Sequence, residues 1–261
     1  MDLRSSLKEI YNRALYYLSV PKCLCCKEPL DYGEKALCES CLVEYREEKK
    51  RDCSRCSKPV PECTCSNFYL ERNRIRKLAK VFRYSPPKHE LPGNLLIYSL
   101  KDDNRRDTFS FLAEELATSI ERAYGVRSNE ADYVITNVPR RPSAIRRAGY
   151  DHSAALAKRI ASLIGVEYCQ FLRSKAKHSQ KDTHGEERRR NAMFVYRRFD
   201  CDPPGRTVIL VDDVVTTGAS MVACAKLLRK LGVKRVVGAT VSVAYKDSAA
   251  SFRVKKNRIK Y

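Results

Sequence analysis

Thr207-Val-Ile-Leu-Val-Asp-Asp-Val-Val-Thr-Thr-Gly-Ala-Ser220 is the stretch on which the fold turns. Residues 208–211 form an unbroken run of β-branched and leucine side chains, the pattern of a parallel strand buried on both faces. Two adjacent carboxylates, Asp212 and Asp213, stand where that strand is predicted to end, followed by Thr216, Thr217 and Gly218. Residues 219–231 then carry apolar side chains at helical spacing (Val222, Ala223, Leu227, Leu228, Leu231), with Gly232 placed to close the helix. In an open α/β sheet this order puts a ligand at the carboxyl edge of the strands.

The residue types specify the ligand. A turn entering a helix offers unpaired backbone N–H groups and the positive end of the helix dipole, which suits a phosphate. Gly218 lets the backbone come close, and Thr216, Thr217 and Ser220 add hydroxyl donors. Carboxylates repel a bare phosphate but accept hydrogen bonds from sugar hydroxyls, so a ribose 5-phosphate satisfies both halves of the motif. No Gly-Lys-Ser/Thr is present in this segment, which excludes a Walker A loop.

Working outward, residues 79–83, 133–138, 168–172 and 235–243 read as strands, and 108–123 and 153–164 as helices, an alternation that predicts a parallel, Rossmann-like sheet. The strand at 133–138 runs into Pro139, so Arg140 and Arg141 emerge at the same edge as Asp212, where two guanidiniums suit a pyrophosphate; surface arginines beside a turn are the plainer reading. Lys101, just before Asp102, Asp103 and Asn104, is a third candidate for that group. Residues 175–190 are charged and poorly periodic, a loop that covers a reacting carbon or grips backbone phosphates, with His178 and His184 as candidate acids or bases. The tail at 253–260 is a solvated end or an anion contact.

Nine of the twelve cysteines lie between Cys23 and Cys65. Cys23/Cys26, Cys38/Cys41, Cys53/Cys56 and Cys63/Cys65 form four pairs, enough for two four-thiolate zinc sites. The simplest grouping joins the first two pairs and the last two; an interleaved grouping fits the same spacing, and Cys25 competes with its neighbours. A disulfide framework or an iron–sulfur cluster are the rival readings. Closed four-thiolate sites leave no position for substrate, so this module is expected to be structural or to contact nucleic acid. Arg46, Lys49, Lys50, Arg51, Arg55 and Lys58 would give it a positive or merely solvated face. Cys169, Cys201 and Cys224 are expected to be free thiols without a role. A boundary near 66–74 divides the chain into a zinc-ribbon-like module over 1–70 and an α/β domain over 75–261.

Across 261 residues, 51 Lys and Arg against 31 Asp and Glu leave a net charge of +20, which draws polyanions without saying which. The 43% apolar content is enough for a core. Leu3, Leu7, Ile10, Tyr11, Ala14, Leu15 and Leu18 predict an amphipathic helix that packs on the zinc module, while the charges among them argue against a signal peptide. No apolar run approaches the ~20 residues of a membrane span, and a cytoplasmic location is the default.

VILVDDVVTTGAS resembles the 5-phosphoribosyl-1-pyrophosphate (PRPP) fingerprint of type I phosphoribosyltransferases. The resemblance implies that Asp212 and Asp213 hold the ribose hydroxyls, that Val214, Val215, Thr216, Thr217 and Gly218 wrap the 5-phosphate, and that Mg²⁺ accompanies PRPP. With the cysteine-rich start, Tyr84 and Ser99-Leu100-Lys101, the chain resembles the ComF family. Asn137-VPRRPSAIRRAGYDH-152 follows that family's V-P-x₈-R-G-F-N-Q, with Ala148, Asp151 and His152 as departures, and the segment from His178 to Asn191 is similar to its Q-x-x-L-x₃-E-R-x-x-N. The expected fold is a type I phosphoribosyltransferase domain behind a small zinc-binding domain. The implied function is ribose 5-phosphate transfer or sensing in DNA uptake and natural transformation, with Lys101, Arg140 and Arg141 on the pyrophosphate and competence or DNA-processing proteins as partners. The alternative is a non-catalytic single-stranded-DNA-binding accessory protein.

Overall fold

The computed structural model describes residues 20–84, 90–103, 105–127, 131–175 and 194–244. The helix expected over 3–18, His178, His184 and nearly all of the basic loop, and the 253–260 tail lie outside the described residues.

In chain order the elements are α1 (Glu39–Lys49), a 3₁₀ turn (Val60–Glu62), α2 (Phe68–Arg72), β1 (Leu78–Arg83), α3 (Pro92–Tyr98), a π-helical turn (Ser99–Asp103) and α4 (Arg106–Tyr124). There follow β2 (Tyr133–Asn137), α5 (Pro142–Ala148), α6 (His152–Ile164), β3 (Glu167–Tyr168), β4 (Leu172–Ser174), β5 (Phe194–Tyr196), β6 (Thr207–Val215), α7 (Ala219–Arg229) and β7 (Arg235–Val243). Strands β1-β7-β6-β2-β3 form one sheet in that order, parallel throughout. β2 continues outward to β3 while β6 continues the other way to β7, so the chain reverses its direction of travel between β6 and β2. Ligands of open α/β sheets bind at such a switch point.

The period-two alternation of a strand splits β6 between two cores. Ile209 and Val211 face the layer of α4 and α6, and Val208 and Leu210 face the layer of α7. Each core reaches into the N-terminal residues. Cys23, Leu24, Leu30, Leu37, Cys41 and Tyr45 extend the first, and Leu70 and Ile75 extend the second.

Four expectations need correction. β6 does not stop before the acidic pair but continues to Val215, because β7 keeps pairing with it at Asp212↔Thr240, Val214↔Ser242 and Val215↔Val243. On its other side the ladder with β2 ends at Asn137↔Val211. The expected strand at 168–172 is broken. Its first part closes the sheet as β3, and Leu172 starts β4, which pairs antiparallel with β5 in a separate ribbon. Cys169 and Cys201 are joined as a disulfide at the base of that ribbon, beside the edge-to-face pair Phe171–Phe199, and so are not free thiols; Cys224 is free and buried. Finally, α7 ends at Arg229 with Lys230 as its cap, and Gly232, at φ +78°, belongs to the following turn.

The segment at 66–74, read as a boundary, contains α2. Asn67 caps that helix by accepting from the Leu70 N–H at 2.9 Å, and Leu70 is fully buried.

Candidate ligand and metal sites

The carboxylates of Asp212 and Asp213 sit where β6 has lost β2 as a neighbour but keeps β7, so the strand holds them rigidly while one side lies open. Asp212 Oδ1 accepts from the Asp213 N–H at 3.0 Å, and Asp213 Oδ1 accepts from the Val214 N–H at 2.7 Å. Lys101 Nζ lies 3.8 Å from Asp213 Oδ2. Burial, and then the charge of Asp213, push the Asp212 carboxyl well above the ordinary carboxylate range. Burial works the same way on Asp213, but Lys101, Arg140 and the Val214 N–H outweigh it and bring its pKa below the ordinary value. The two carboxyls are thus pushed in opposite directions, Asp212 towards holding its proton and Asp213 towards losing it.

Gly218, at φ +80°, forms the N-cap position of α7, and the Val222 N–H donates to its carbonyl at 2.9 Å. The first N–H groups of α7 consequently point out beside the carboxylates, with Thr216 exposed and Thr217 and Ser220 half-buried at the same corner. Val214 and Val215 belong to the strand. Val215 is buried and its carbonyl accepts from the Ala244 N–H, so residues 216–220 form the turn beyond the strand.

Two of the three cations expected here act on the acidic pair: Lys101 lies beside Asp213 and the charge of Arg140 reaches it, while the backbone of Arg141 forms the N-cap position of α5. Arg140 is held from behind: its backbone N–H donates to Asp151 Oδ2 at 3.3 Å, and its Nη1 donates to Nδ1 of the buried His152. Asp151 also caps α6 through the Ala154 N–H. Neither role was read from the sequence, although an Asp directly before a helical apolar run is an N-cap signal. At the end of β2, Asn137 Oδ1 accepts from the Tyr168 hydroxyl at 2.8 Å, while its buried Nδ2 has no partner. A buried donor left at the open carboxyl edge fits a site that a polar ligand completes.

The cysteines group in the simplest way. The sulfurs of Cys23, Cys26, Cys38 and Cys41 lie within 4.8 Å of one another, as do those of Cys53, Cys56, Cys63 and Cys65. Both groups are built on one repeated turn. Cys23 N–H donates to the Glu28 carbonyl and Cys53 N–H to the Lys58 carbonyl, each at 2.8 Å. Lys27 and Ser57 take positive φ, and the bridges Lys22↔Pro29 and Asp52↔Pro59 close the turns. The readable signal was Cys-x-x-Cys-x-x-Pro at 23–29 and again, thirty residues on, at 53–59. The repeat assigns Cys25, half-buried with its thiol pushed up to about 12 chiefly by burial, to the position of Arg55, outside the sulfur group. In each group one sulfur ionises easily. Cys38 is brought down to about 6 by Ser40, and Cys53 reaches about 6 because backbone N–H groups of Arg55 and Cys56 and the neighbouring thiols outweigh its burial. Burial raises Cys41 and Cys65 instead. Four sulfurs converging on one point, with backbone N–H groups from Cys38 and Cys65 aimed at Cys23 and Cys63 Sγ, fit a tetrahedral ion such as zinc. Of the basic residues around them, Lys49, Lys50 and Arg55 are tied to Glu115, Glu47 and Glu71.

Comparison with known proteins agrees with this arrangement. The phosphoribosyl transferase domain pattern matches residues 148–258. DNA utilization protein YhgH of Escherichia coli O157:H7 is 28% identical over 227 residues, covering 84% of this chain and 96% of that protein. Competence protein F of Haemophilus influenzae is 24% identical over 221 residues, covering 82% and 93%. A ribose-phosphate pyrophosphokinase of Thermococcus kodakarensis is 34% identical over 88 residues, 33% of this chain and 27% of that one. No helix among the described residues is long and apolar enough to cross a membrane. Cysteine clusters that could hold zinc stand ahead of a type I phosphoribosyltransferase fold, and along most of its length the chain is similar to these DNA utilization and competence proteins.

Proposed function

We propose that the chain binds PRPP at the carboxyl edge between β6 and β2 and that it acts, as the names of its relatives suggest, in the uptake or use of DNA. The observation that carries the reading is the adjacent carboxylates Asp212 and Asp213 at the open edge of β6 and next to the start of α7, with Lys101 3.8 Å from Asp213 and the charge of Arg140 acting on it. The carboxylates accept from the ribose hydroxyls. The N–H groups and hydroxyls of residues 216–220 take the 5-phosphate, and Lys101 and Arg140 meet the pyrophosphate. Mg²⁺ bound with the ligand would offset the charge of a departing pyrophosphate. Residues 1–70 hold metal and residues 75–261 hold the ribose ligand.

Calorimetry of PRPP–Mg²⁺ against the wild type and an Asp212→Ala, Asp213→Ala variant tests this. Saturable binding lost in the variant supports it, and no binding by the folded, zinc-loaded wild type overturns it.

A second reading, a single-stranded-DNA-binding accessory protein, draws on the +20 charge and on Phe68, which is 70% exposed with the Arg72 guanidinium 5.4 Å from its ring centroid. Gel-shift affinity for single-stranded DNA that falls steeply with salt supports it, and no binding at low salt removes it.

A further inference from the structure

Residues 63–75 run from the second cysteine group to the phosphate loop with contacts at nearly every step. Cys65 bridges to Lys77 beside the outer edge of β1, and the Leu78 N–H donates to the Thr64 carbonyl at 2.9 Å. The buried ammonium of Lys80 donates to the carbonyls of Cys63 and Cys65, both at 2.8 Å. Arg55, from inside the repeated turn, reaches the Ser66 carbonyl and the Glu71 carboxylate, each at 2.6 Å. Asn67 Nδ2 then donates to the Thr217 carbonyl at 3.3 Å, and Leu70 packs beneath Gly218 so closely that a Cβ there would lie 2.6 Å from Leu70 Cδ2. From the far end of α7, Arg229 donates to the Asn73 carbonyl at 2.7 Å.

We propose that α2 is a brace, with Asn67 and Leu70 as its positioning residues, and that metal at Cys53, Cys56, Cys63 and Cys65 holds the phosphate loop in its anion-accepting shape. Glycine populates positive and negative φ about equally, so Gly218 does not fix the loop by itself. Its +80° geometry is set by what it rests on, and it rests on Leu70. Leu70 is held in turn by the Asn67 cap and by residues 63–66, whose covalent tie to residues 53–56 is the metal. Four thiolates on a divalent ion leave a net negative charge, and Lys80 places a buried positive charge against that group's own carbonyls. Among the described residues, the first cysteine group is tied instead to α4 through Lys35–Glu114 and Tyr45–Glu115 and to the start of α3 through Glu48–Gly93.

The affinity consequence rests on the PRPP reading; the brace does not, and hydrogen exchange separates the two. In the full zinc-loaded chain, the amides of residues 216–220 are followed with those of α4 as internal reference. Leu70→Ala, and separately Cys63→Ser with Cys65→Ser, are expected to speed loop exchange about tenfold with α4 unchanged. Asn67→Ser keeps a cap but cannot reach Thr217, and is expected to speed it severalfold, on the order of a lost hydrogen bond. Weakened PRPP–Mg²⁺ binding should follow the same order. Loop exchange at the wild-type rate in Leu70→Ala, in a protein whose α4 amides remain protected, overturns the brace. This variant and Asn67→Ser leave all cysteines in place, so the test stands if the serine variant does not fold. A wild type that binds no PRPP would sink the functional reading and leave the exchange result to decide the brace.

Discussion

The two cysteine groups are the same turn used twice, thirty residues apart, and they differ in what they are fastened to. Around the first, Tyr45 is fully buried between Phe82 and Phe111, with ring centroids 5.8 and 5.5 Å away, and its hydroxyl donates to Glu115. Glu48 accepts from the Gly93 N–H at 3.0 Å, and Arg105 donates to the Lys22 carbonyl at 2.8 Å. Cys23 and Cys41 themselves belong to the core shared with α4 and α6. Around the second, Lys80 on β1 donates to the Cys63 and Cys65 carbonyls, and Asn67 carries the connection on to the loop at 216–218. A metal site buried in a core adds to global stability. One strung along a backbone segment adds mainly to the geometry of whatever that segment touches.

Removing each metal separately should therefore split two measurements that usually move together. Cys23→Ser with Cys26→Ser is expected to lower the melting temperature most of all, since structural zinc is worth about 10–16 kcal/mol in isolated fingers and this group shares the main core. Cys63→Ser with Cys65→Ser should lower it less and weaken PRPP binding more. If both pairs reduce stability and affinity in the same proportion, the distinction between the groups fails.

Leucine truncation sharpens the contrast without touching sulfur. Leu70→Ala and Leu37→Ala each remove a buried side chain and should each cost about 2–5 kcal/mol in denaturant unfolding. Only Leu70→Ala should also weaken calorimetric PRPP binding beyond the fraction unfolded.

Asn67→Ala removes the α2 cap and should cost about 1 kcal/mol of stability, together with part of the loop's affinity for anions. An equal loss of stability with affinity intact would make Asn67 a cap and nothing more.

The smallest effect belongs to Glu48 on the first side. Burial raises its pKa above the ordinary carboxylate value, more than the Gly93 N–H and Arg51 lower it. The folded state thus holds that proton more tightly than the unfolded chain. Stability is greatest below the unfolded pKa and declines as pH rises from there through the folded one. Glu48→Gln should flatten that decline in urea midpoints taken from pH 4 to 7, and an unchanged slope would mean that Glu48 does not contribute it.

How far each feature could be read from the sequence follows its range along the chain. The α/β class, β6, α7, the acidic pair and the eight sulfurs were legible because each is written within a short stretch, as a strand run, an apolar helical spacing or a turn between close cysteines. The continuation of β6 to Val215 was not legible, because it depends on β7 pairing from twenty-eight positions away, at Val215↔Val243. Arg140 and Arg141 are adjacent and alike in sequence. Only the fold shows that Arg140 is the one held by Asp151 and His152, while the backbone of Arg141 caps a helix. The split of 168–172 and the Cys169–Cys201 link likewise depend on a ribbon whose partner strand comes twenty residues later.

By itself, then, the sequence determined which chemistry is present: an acidic pair and a Thr-Thr-Gly turn at a strand end, and four pairs of thiols. Residue type and local spacing are enough to specify donors, acceptors and turns. The tertiary structure decided which of those groups meet. It brought Lys101 to Asp213, set the two carboxyls in environments that push them in opposite directions, and laid Asn67 and Leu70 under a loop 150 residues away in the chain. Contacts at that separation are set by packing around a shared core, and no local pattern of residues encodes them.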